Sequence, residues 1–534
     1  MEPVGLALGG ISLFTALSAA IDSFLLLEEL TTSQDVHYLA IQYSIEKHRL
    51  ECWRQEVIRR DPNGGDFLES LPHQVKGIIQ ACLTEMLATL REINQIAIKH
   101  DVPALLDTIS YGVPSKQKSL VAGDAEIRSF FKPRRKLAWV IRNGKRFRNG
   151  VEKLEKLNSN IYELSRSVLS RNMAIALPSV ALPHINEKDD LDWLCNEPST
   201  KDSVLGACAH LKLLELSHAE GVRSISIDSL ELDDPEANRS VAFFVDESNI
   251  SRRVLVEWKT LSPDLPVEDQ GIIRSRIQHL ASLLSVTKPT VFRVPTCIGL
   301  CTASSSRYGY VYEIPRSPNA SSHPVSLAQV LTRAKSSGEK ALLGDRFRLA
   351  HALAATFSLL HASGWLHKSF RSSNVLFFRD WNQISDPIPL DALSIVGFEY
   401  SRPGGPAERS IESALDSNLD MDATIYRHPD VDRGFREQHD IYSLGVVLYE
   451  IALWRPLHTK LTRDESQSLM APIEIRQILV DSLHLLGGEV GCVYRDAVAT
   501  CLSGSNSPLM ASTESDLQNR FFSDVVRNLE KCSA

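Results

Sequence analysis

Residues 365–378 read WLHKSFRSSNVLFF and place a short polar stretch between two apolar segments. The preceding residues 347–364 carry the apolar spacing of a helix, and the continuously apolar residues 375–378 are typical of a buried strand. The stretch therefore predicts a loop between a helix and a strand. The polar side chains of this loop, His367, Ser369 and Asn374, are the first candidates for a functional role.

The composition of the chain describes a multi-domain globular protein. Its 534 residues exceed what one core usually holds, which favours two or three domains. With 43% hydrophobic and 23% charged residues, extensive disorder is not expected. A net charge of -8 gives no overall attraction to nucleic acid. The nine dispersed cysteines lack metal-binding spacing and predict reduced thiols in an intracellular protein.

The pattern of apolar residues divides the chain into regions. Residues 1–181 carry helical spacing almost throughout and predict an all-α helical bundle. Residues 182–204 are acidic and aperiodic, and predict a linker. Period-two stretches dominate residues 205–315, and helical spacing returns over 316–534. Strands followed by helices predict a two-lobed α+β domain over 205–534.

The N-terminus has two features suited to a membrane. The segment Val4–Ile21 is uncharged, near the lower length limit for a bilayer span, and no basic residue precedes Asp22 to support a secretory signal. It is either a buried first helix or a helix that enters a bilayer when released. Basic and aromatic residues also cluster in residues 130–148, where they form either a solvated helix face or a surface attracted to anionic lipid.

Residues 205–534 resemble the protein-kinase fold through five motifs in the family's order. VLVEWK ends in Lys259, the counterpart of the nucleotide-binding lysine of the third strand. WLHKSFRSSNVLFF matches the catalytic loop, and SIVGFEYSRP stands where D-F-G is expected. The remaining motifs are YRHPD at 426–430 and DIYSLGVVLYEIALWRPL at 440–457. The resemblance implies that Asp440 binds the backbone of the catalytic loop.

The departures from the kinase pattern concern its chemistry. Ser369 replaces the catalytic base and Gly397 replaces the metal-binding Asp, so the resemblance implies no catalytic residue and no metal site. No glycine-rich loop precedes Lys259, and residues 273–284 offer no acidic partner for it. The positions that keep a cofactor-binding character in the resemblance are Lys259, Arg371, Asn374 and Glu399. ATP bound without turnover is the one cofactor left open.

Residues 1–181 resemble the fungal HeLo domain, also called the prion-inhibition and propagation domain. The resemblance rests on MEPVGLALGGISLFTALSAAIDSFLLLEEL and on YLAIQYSIEKHRLECWRQEV, which follows it. It implies a helical bundle that serves as a cell-death or heterokaryon-incompatibility effector and whose first helix perturbs a membrane. The candidate membrane contacts are Leu6, Leu8, Ile11, Leu13 and Phe14.

Three hypotheses follow from these patterns. In the first, a catalytically degenerate kinase-like domain senses or relays a signal and controls a membrane-active bundle. In the second, the protein is an atypical protein kinase that uses Glu399 or Asp391 to hold metal. In the third, it is a non-enzymatic scaffold. The first hypothesis predicts a protein partner as the upstream trigger, an anionic membrane surface, self-association and no nucleic acid. It places the protein in the cytoplasm, with recruitment to the plasma membrane.

Overall fold

The chain forms two compact units, Met1–Leu177 and Pro178–Ala534. The structure is a computed structural model, and it describes the following residues: 26–27, 34–57, 73–99, 104–105, 144–165, 173–197, 203–217, 221–246, 249–262, 265–314, 320–379, 387–398, 401–403, 424–431, 435–457, 470–503 and 514–534. The division between the units falls inside a helix, α4 (Met173–Ala181).

Helices dominate the described part of the N-terminal unit, as predicted. They are α1 (Gln34–Val57), α2 (His73–Lys99) and α3 (Gly144–Ser165). Helix α3 packs against both α1 and α2. Two short strands, β1 (Leu26–Leu27) and β2 (Ala104–Leu105), pair antiparallel.

The core of the N-terminal unit is apolar with one buried polar contact. Its fully buried side chains include Leu50, Trp53, Met86, Leu90, Val151 and Leu154. Asn158 of α3 donates from Nδ2 to the Glu46 backbone oxygen at 2.9 Å and to Glu46 Oε2 at 2.7 Å. Burial raises the pKa of the Glu46 carboxyl. Because a buried polar group is costly without a partner, Asn158 fixes α3 on α1 at this point.

The C-terminal unit begins its strand-rich part with a mixed six-stranded sheet. The strands run in the order β3-β7-β8-β6-β5-β4, with β3 and β7 parallel and the other pairs antiparallel. Their bounds are β3 (Ser224–Ile225), β4 (Leu230–Leu232), β5 (Arg239–Val245), β6 (Ser251–Thr260), β7 (Cys297–Ser304) and β8 (Arg307–Glu313). A helix, α7 (Val267–Ser285), packs against β7.

Small sheets and helices make up the rest of the unit. Three antiparallel strands are ordered β12-β11-β9, and β10 pairs with β13. These strands are β9 (Ala320–Ser326), β10 (Trp365–Leu366), β11 (Val375–Arg379), β12 (Leu393–Ile395) and β13 (Arg402–Pro403). The helices are α8 (Leu327–Ser337), α9 (Leu343–Ala362), α10 (Glu437–Leu453), α11 (Pro472–Asp481), α12 (Leu483–Leu502), α13 (Glu514–Phe521) and α14 (Arg527–Lys531), with a π-helix at Phe522–Val526 between the last two.

Helix α10 is the centre of the helical part. All of its residues except Gln438 are buried, and it packs against α9 and α12. An apolar pattern on every side of a helix is typical of a fully buried one. Together, the elements of the two units confirm the predicted order of a helical region followed by a mixed sheet with helices.

The predicted acidic linker over residues 182–204 is wrong in its first part. Residues 188–196 form helix α5 (Lys188–Asn196), which packs against α6 (Val204–Ser217). Leu191 and Leu194 are fully buried on one face of α5, while its acidic residues are mostly exposed on the other. The high acidic content thus belongs to the solvated face of a short amphipathic helix. Helix α6 also contacts α9, so it joins the helical part of the unit.

Two buried histidines stack where the segment 424–431 meets α10. The ring centroids of His428 and His439 lie 4.6 Å apart. Nδ1 of His428 accepts from the Asp430 backbone N–H at 3.0 Å, and Nδ1 of His439 accepts from the Arg436 backbone N–H at 3.2 Å. A nitrogen that accepts cannot carry a proton, so both rings are neutral. Burial lowers the pKa of His428 to about 4 and that of His439 to about 3.

This pair predicts loss of stability in mild acid. In the unfolded chain a histidine protonates near pH 6.5, above both folded values, so the unfolded state binds more protons as the pH falls. We expect the free energy of unfolding of the C-terminal unit to fall between pH 6.5 and pH 4, by up to about 1.4 kcal/mol per pH unit for each ring. Urea unfolding at several pH values measures this slope. In His428→Asn/His439→Asn, whose amide oxygens replace Nδ1 as acceptors, the slope should flatten, and an unchanged slope would contradict the assignment.

Candidate functional site

The loop that follows β10 is held by a carboxylate of the central helix. Asp440, which is fully buried in α10, accepts from the backbone N–H of His367 at 2.6 Å through Oδ2 and from that of Lys368 at 2.8 Å through Oδ1. Lys368 has φ of 69°, a conformation that a non-glycine residue adopts only when its surroundings hold it there. The prediction that Asp440 binds this backbone is confirmed.

His367 braces the loop from inside. Its Nε2–H donates to the Val396 carbonyl at 2.9 Å, and its ring lies 4.5 Å from that of Phe398. Burial lowers the pKa of His367, and the nearby charge of Asp440 only partly opposes this. A neutral ring that donates through Nε2 leaves Nδ1 as an acceptor, towards which the Ser369 backbone N–H points at 3.4 Å. His367 therefore has a structural role in the loop.

Both polar atoms of the Asn374 side-chain amide make hydrogen bonds within the chain. Its Nδ2 donates to the Ser369 carbonyl at 2.7 Å, and its Oδ1 accepts from Arg239 Nη2 at 2.9 Å. An amide oxygen that serves a metal ion must offer a lone pair towards it. Here the oxygen faces a guanidinium cation instead. The predicted cofactor-binding position Asn374 is thus engaged in contacts within the chain.

Gly397 closes tightly on Asn374. Its φ is 85°, and a Cβ built on it would lie 2.2 Å from Asn374 Nδ2, which no side chain tolerates. Its backbone N–H points to the Glu257 carboxylate, at 3.1 Å from Oε1 and 3.0 Å from Oε2. The position that the kinase resemblance assigns to a metal-binding Asp therefore has no room for that side chain.

Sequence reasoning missed two residues that contact Asn374 and Gly397. They are Arg239 of β5 and Glu257 of β6. They are directly opposite in the β5–β6 register, and Arg239 Nη2 lies 2.6 Å from Glu257 Oε1. Arg239 also donates to the Ser373 carbonyl at 2.9 Å. A signal was present in the sequence, because period two places Glu257 on the same strand face as Lys259.

Lys259 lies on that face, and it is buried. The neighbouring Val254, Val256 and Trp258 belong to the apolar cluster on the opposite face of the sheet. The structure thus brings Glu257, Asn374, Gly397 and Ser369 together where the six-stranded sheet meets the rest of the C-terminal unit, a place here called the cleft. Lys259 lies two residues from Glu257 on the same strand face.

The other predicted cofactor-binding positions are not placed in this cleft. Arg371 lines a cavity of about 610 Å³ together with Ser372, Tyr426 and Glu450. The Tyr426 hydroxyl lies 2.9 Å from Ser372 Oγ and donates to Glu450 Oε2 at 2.8 Å. Glu399 lies outside the described residues.

The alternative metal ligand Asp391 pairs with Arg379 at the surface. It belongs to the 3₁₀ turn Leu390–Ala392, which directly precedes β12. Within the described ranges, no group of three His, Cys, Asp or Glu side chains is arranged to hold a metal ion.

The structure describes none of the five membrane-contact candidates. Leu6, Leu8, Ile11, Leu13 and Phe14 lie outside the described residues. No helix in the described part of the chain is both long and apolar enough to span a bilayer.

The basic and aromatic cluster is described only at its end, on α3. There Lys145, Arg146 and Arg148 are exposed. Phe147 is buried, with its ring 6.0 Å from that of Tyr43, so this aromatic residue belongs to the core and not to a lipid-facing surface.

Comparison with known families separates the two ends of the chain. Residues 5–192 match the HeLo family, described as prion-inhibition and propagation, so the predicted N-terminal resemblance is confirmed. Residues 299–533 match a domain of unknown function, DUF7580. No curated protein matches the chain. Residues 5–192 are thus similar to HeLo regions and residues 299–533 to DUF7580 regions, and the kinase resemblance of residues 205–534 stays a prediction.

The close approach at Gly397 yields a matched pair of variants. Gly397→Ala and Gly338→Ala both place a Cβ on a residue of positive φ, but only Gly397 has a neighbour within 4 Å of that Cβ. We expect both to lose about 1–2 kcal/mol from backbone strain, and Gly397→Ala to lose a further ~2 kcal/mol or more because Asn374 must move. Urea unfolding of the two variants measures the difference. Equal losses would contradict the tight contact with Asn374.

Proposed function

We propose that this protein is an effector of the cell-death or heterokaryon-incompatibility type. Its HeLo region acts on membranes, and its C-terminal unit is a catalytically silent kinase-like domain that controls the HeLo region. The proposed lack of catalysis is supported by the hydrogen bonds that Asn374 and Gly397 make to other groups of the chain. The HeLo match over residues 5–192 carries the effector half.

The geometry of the cleft disfavours phosphoryl transfer. Such a reaction needs a base for the attacking hydroxyl and metal ions that neutralise the phosphates. Ser369 supplies no carboxylate, Gly397 has no room for one, and Asn374 Oδ1 faces Arg239. ATP with its metal therefore does not fit the cleft as it stands. The C-terminal unit then works through protein contacts, and an upstream protein partner is the trigger.

The atypical-kinase alternative has less support. Asp391 pairs with Arg379 at the surface, whereas the carboxylate that contacts Gly397 is that of Glu257. Glu399 is the remaining acid of that hypothesis.

Membrane action fits the charge of the N-terminal region. The uncharged segment Val4–Ile21 suits insertion into a bilayer, and the exposed Lys145, Arg146 and Arg148 suit approach to an anionic surface. We place the resting protein in the cytoplasm, with recruitment to the plasma membrane and self-association when it is activated. In a pure scaffold the uncharged segment would only be a buried first helix, and this difference separates the two readings.

Leakage of anionic vesicles tests the proposal with the full chain. We expect little leakage from the wild type and several-fold more from Asp440→Asn. In that variant an amide nitrogen must face a backbone N–H, which loosens the C-terminal unit. Adding Leu13→Glu should return leakage to background, because a charge at the centre of an inserting helix opposes insertion.

Thr84→Glu is the matched control, since it adds the same charge at an exposed position of α2. In the Asp440→Asn background it should leave leakage unchanged. Equal leakage with and without Leu13→Glu would contradict a membrane-active first helix and favour the scaffold.

A further inference from the structure

We propose that the Glu257 carboxylate is a built-in anionic occupant of the cleft, held by Arg239 and the Gly397 backbone N–H, and that it closes the cleft without any ligand. This contact, here called the Arg239–Glu257 latch, joins the strand-rich part to the helical part. The inference goes beyond the membrane function proposed above, because it concerns the cleft alone.

The latch is built on a cross-strand pair. Arg239 and Glu257 are opposite each other on antiparallel strands, so their side chains leave the same face of the sheet. Arg239 Nε donates to Glu257 Oε1 at 2.8 Å. From this pair, one arm of the guanidinium reaches Ser373 O and another reaches Asn374 Oδ1. The carboxylate meanwhile accepts from Gly397 N–H with both oxygens in range.

The latch therefore touches the helical part at two separate segments, residues 373–374 and residue 397. Both segments adjoin the loop that Asp440 anchors. Glu257 alone would connect the sheet only to Gly397. Arg239 adds the connection to residues 373–374.

Burial explains why the pair acts as a unit. The Glu257 side chain is 4% exposed and that of Arg239 26%. A carboxylate removed from water to this extent needs a cation and hydrogen-bond donors, and here it has both. Loss of Arg239 would leave the buried Glu257 carboxylate without its cation, so the pair favours the closed cleft.

The chemistry of the latch also defines what it excludes. The guanidinium and the Gly397 N–H point at one carboxylate, and buried Lys259 lies two residues along the same strand face. A guanidinium with backbone N–H groups is a usual setting for phosphate. Glu257 thus occupies the position that a diphosphate would need, and any such anion has to compete with a carboxylate of the chain.

Amide hydrogen exchange at Gly397 reads the latch directly, because this N–H donates to Glu257. In the full-length wild type we expect slow exchange at Gly397. Inorganic pyrophosphate at about 5 mM, enough to detect weak binding, should not change this rate. In Glu257→Ala we expect exchange at Gly397 to be at least about tenfold faster and pyrophosphate to restore part of the protection. Glu231→Ala, on the exposed edge strand β4, is the control and should match the wild type.

A second variant keeps the test decisive if Glu257→Ala does not fold because the Arg239 charge is stranded. Arg239→Met/Glu257→Met replaces the pair by apolar side chains, an exchange that folded proteins often tolerate. Fast exchange at Gly397 in this folded variant supports the latch. Protection equal to the wild type in either variant, or binding of pyrophosphate by the wild type as tightly as by Glu257→Ala, overturns it. The membrane proposal can fail in the vesicle assay without changing any of these results.

Discussion

The buried carboxylate of Asp440 is the contact on which the candidate site depends. It draws the His367 and Lys368 backbones onto the central helix α10 and holds Lys368 at positive φ. The loop that follows ends in Asn374, and the bracing bond of His367 fixes Val396, next to Gly397. The two segments that meet in the cleft are thus positioned from one point of the core. A helix buried on all sides is a suitable base for this, because it cannot shift without disturbing its neighbours.

The cleft is held closed by groups of the chain itself. Polar backbone groups in a buried space are costly without partners. Glu257 and Arg239 supply partners for the Gly397 N–H and the Ser373 carbonyl from two neighbouring strands. The resulting contacts bind the sheet to the helical part as a ligand would. A unit closed in this way is suited to transmit a change of shape between protein partners, which is the role we assign to it.

Much of the architecture could be predicted from the sequence, because apolar periodicity marks helices and strands directly. The helical N-terminal region and the strand-rich part were predicted from spacing, and the role of Asp440 was implied by the kinase resemblance. The linker prediction failed because acidic residues on one side of the short helix α5 concealed Leu191 and Leu194 on the other. Arg239 and Glu257 escaped notice since a cross-strand pair depends on register, and register depends on strand pairing that a single sequence does not reveal. The fit of Gly397 against Asn374 likewise arises only from tertiary packing.

The central claim is that the Glu257 carboxylate and its partners fill the cleft that the kinase resemblance assigns to a nucleotide. Calorimetric titration of the full-length wild type with ATP, with and without Mg²⁺, tests it most directly. The account predicts no saturable binding up to about 1 mM nucleotide, which corresponds to a binding free energy no better than about −4.1 kcal/mol. Saturable binding that strengthens when Mg²⁺ is added would contradict it, because a metal-nucleotide complex cannot share the cleft with the Glu257 carboxylate.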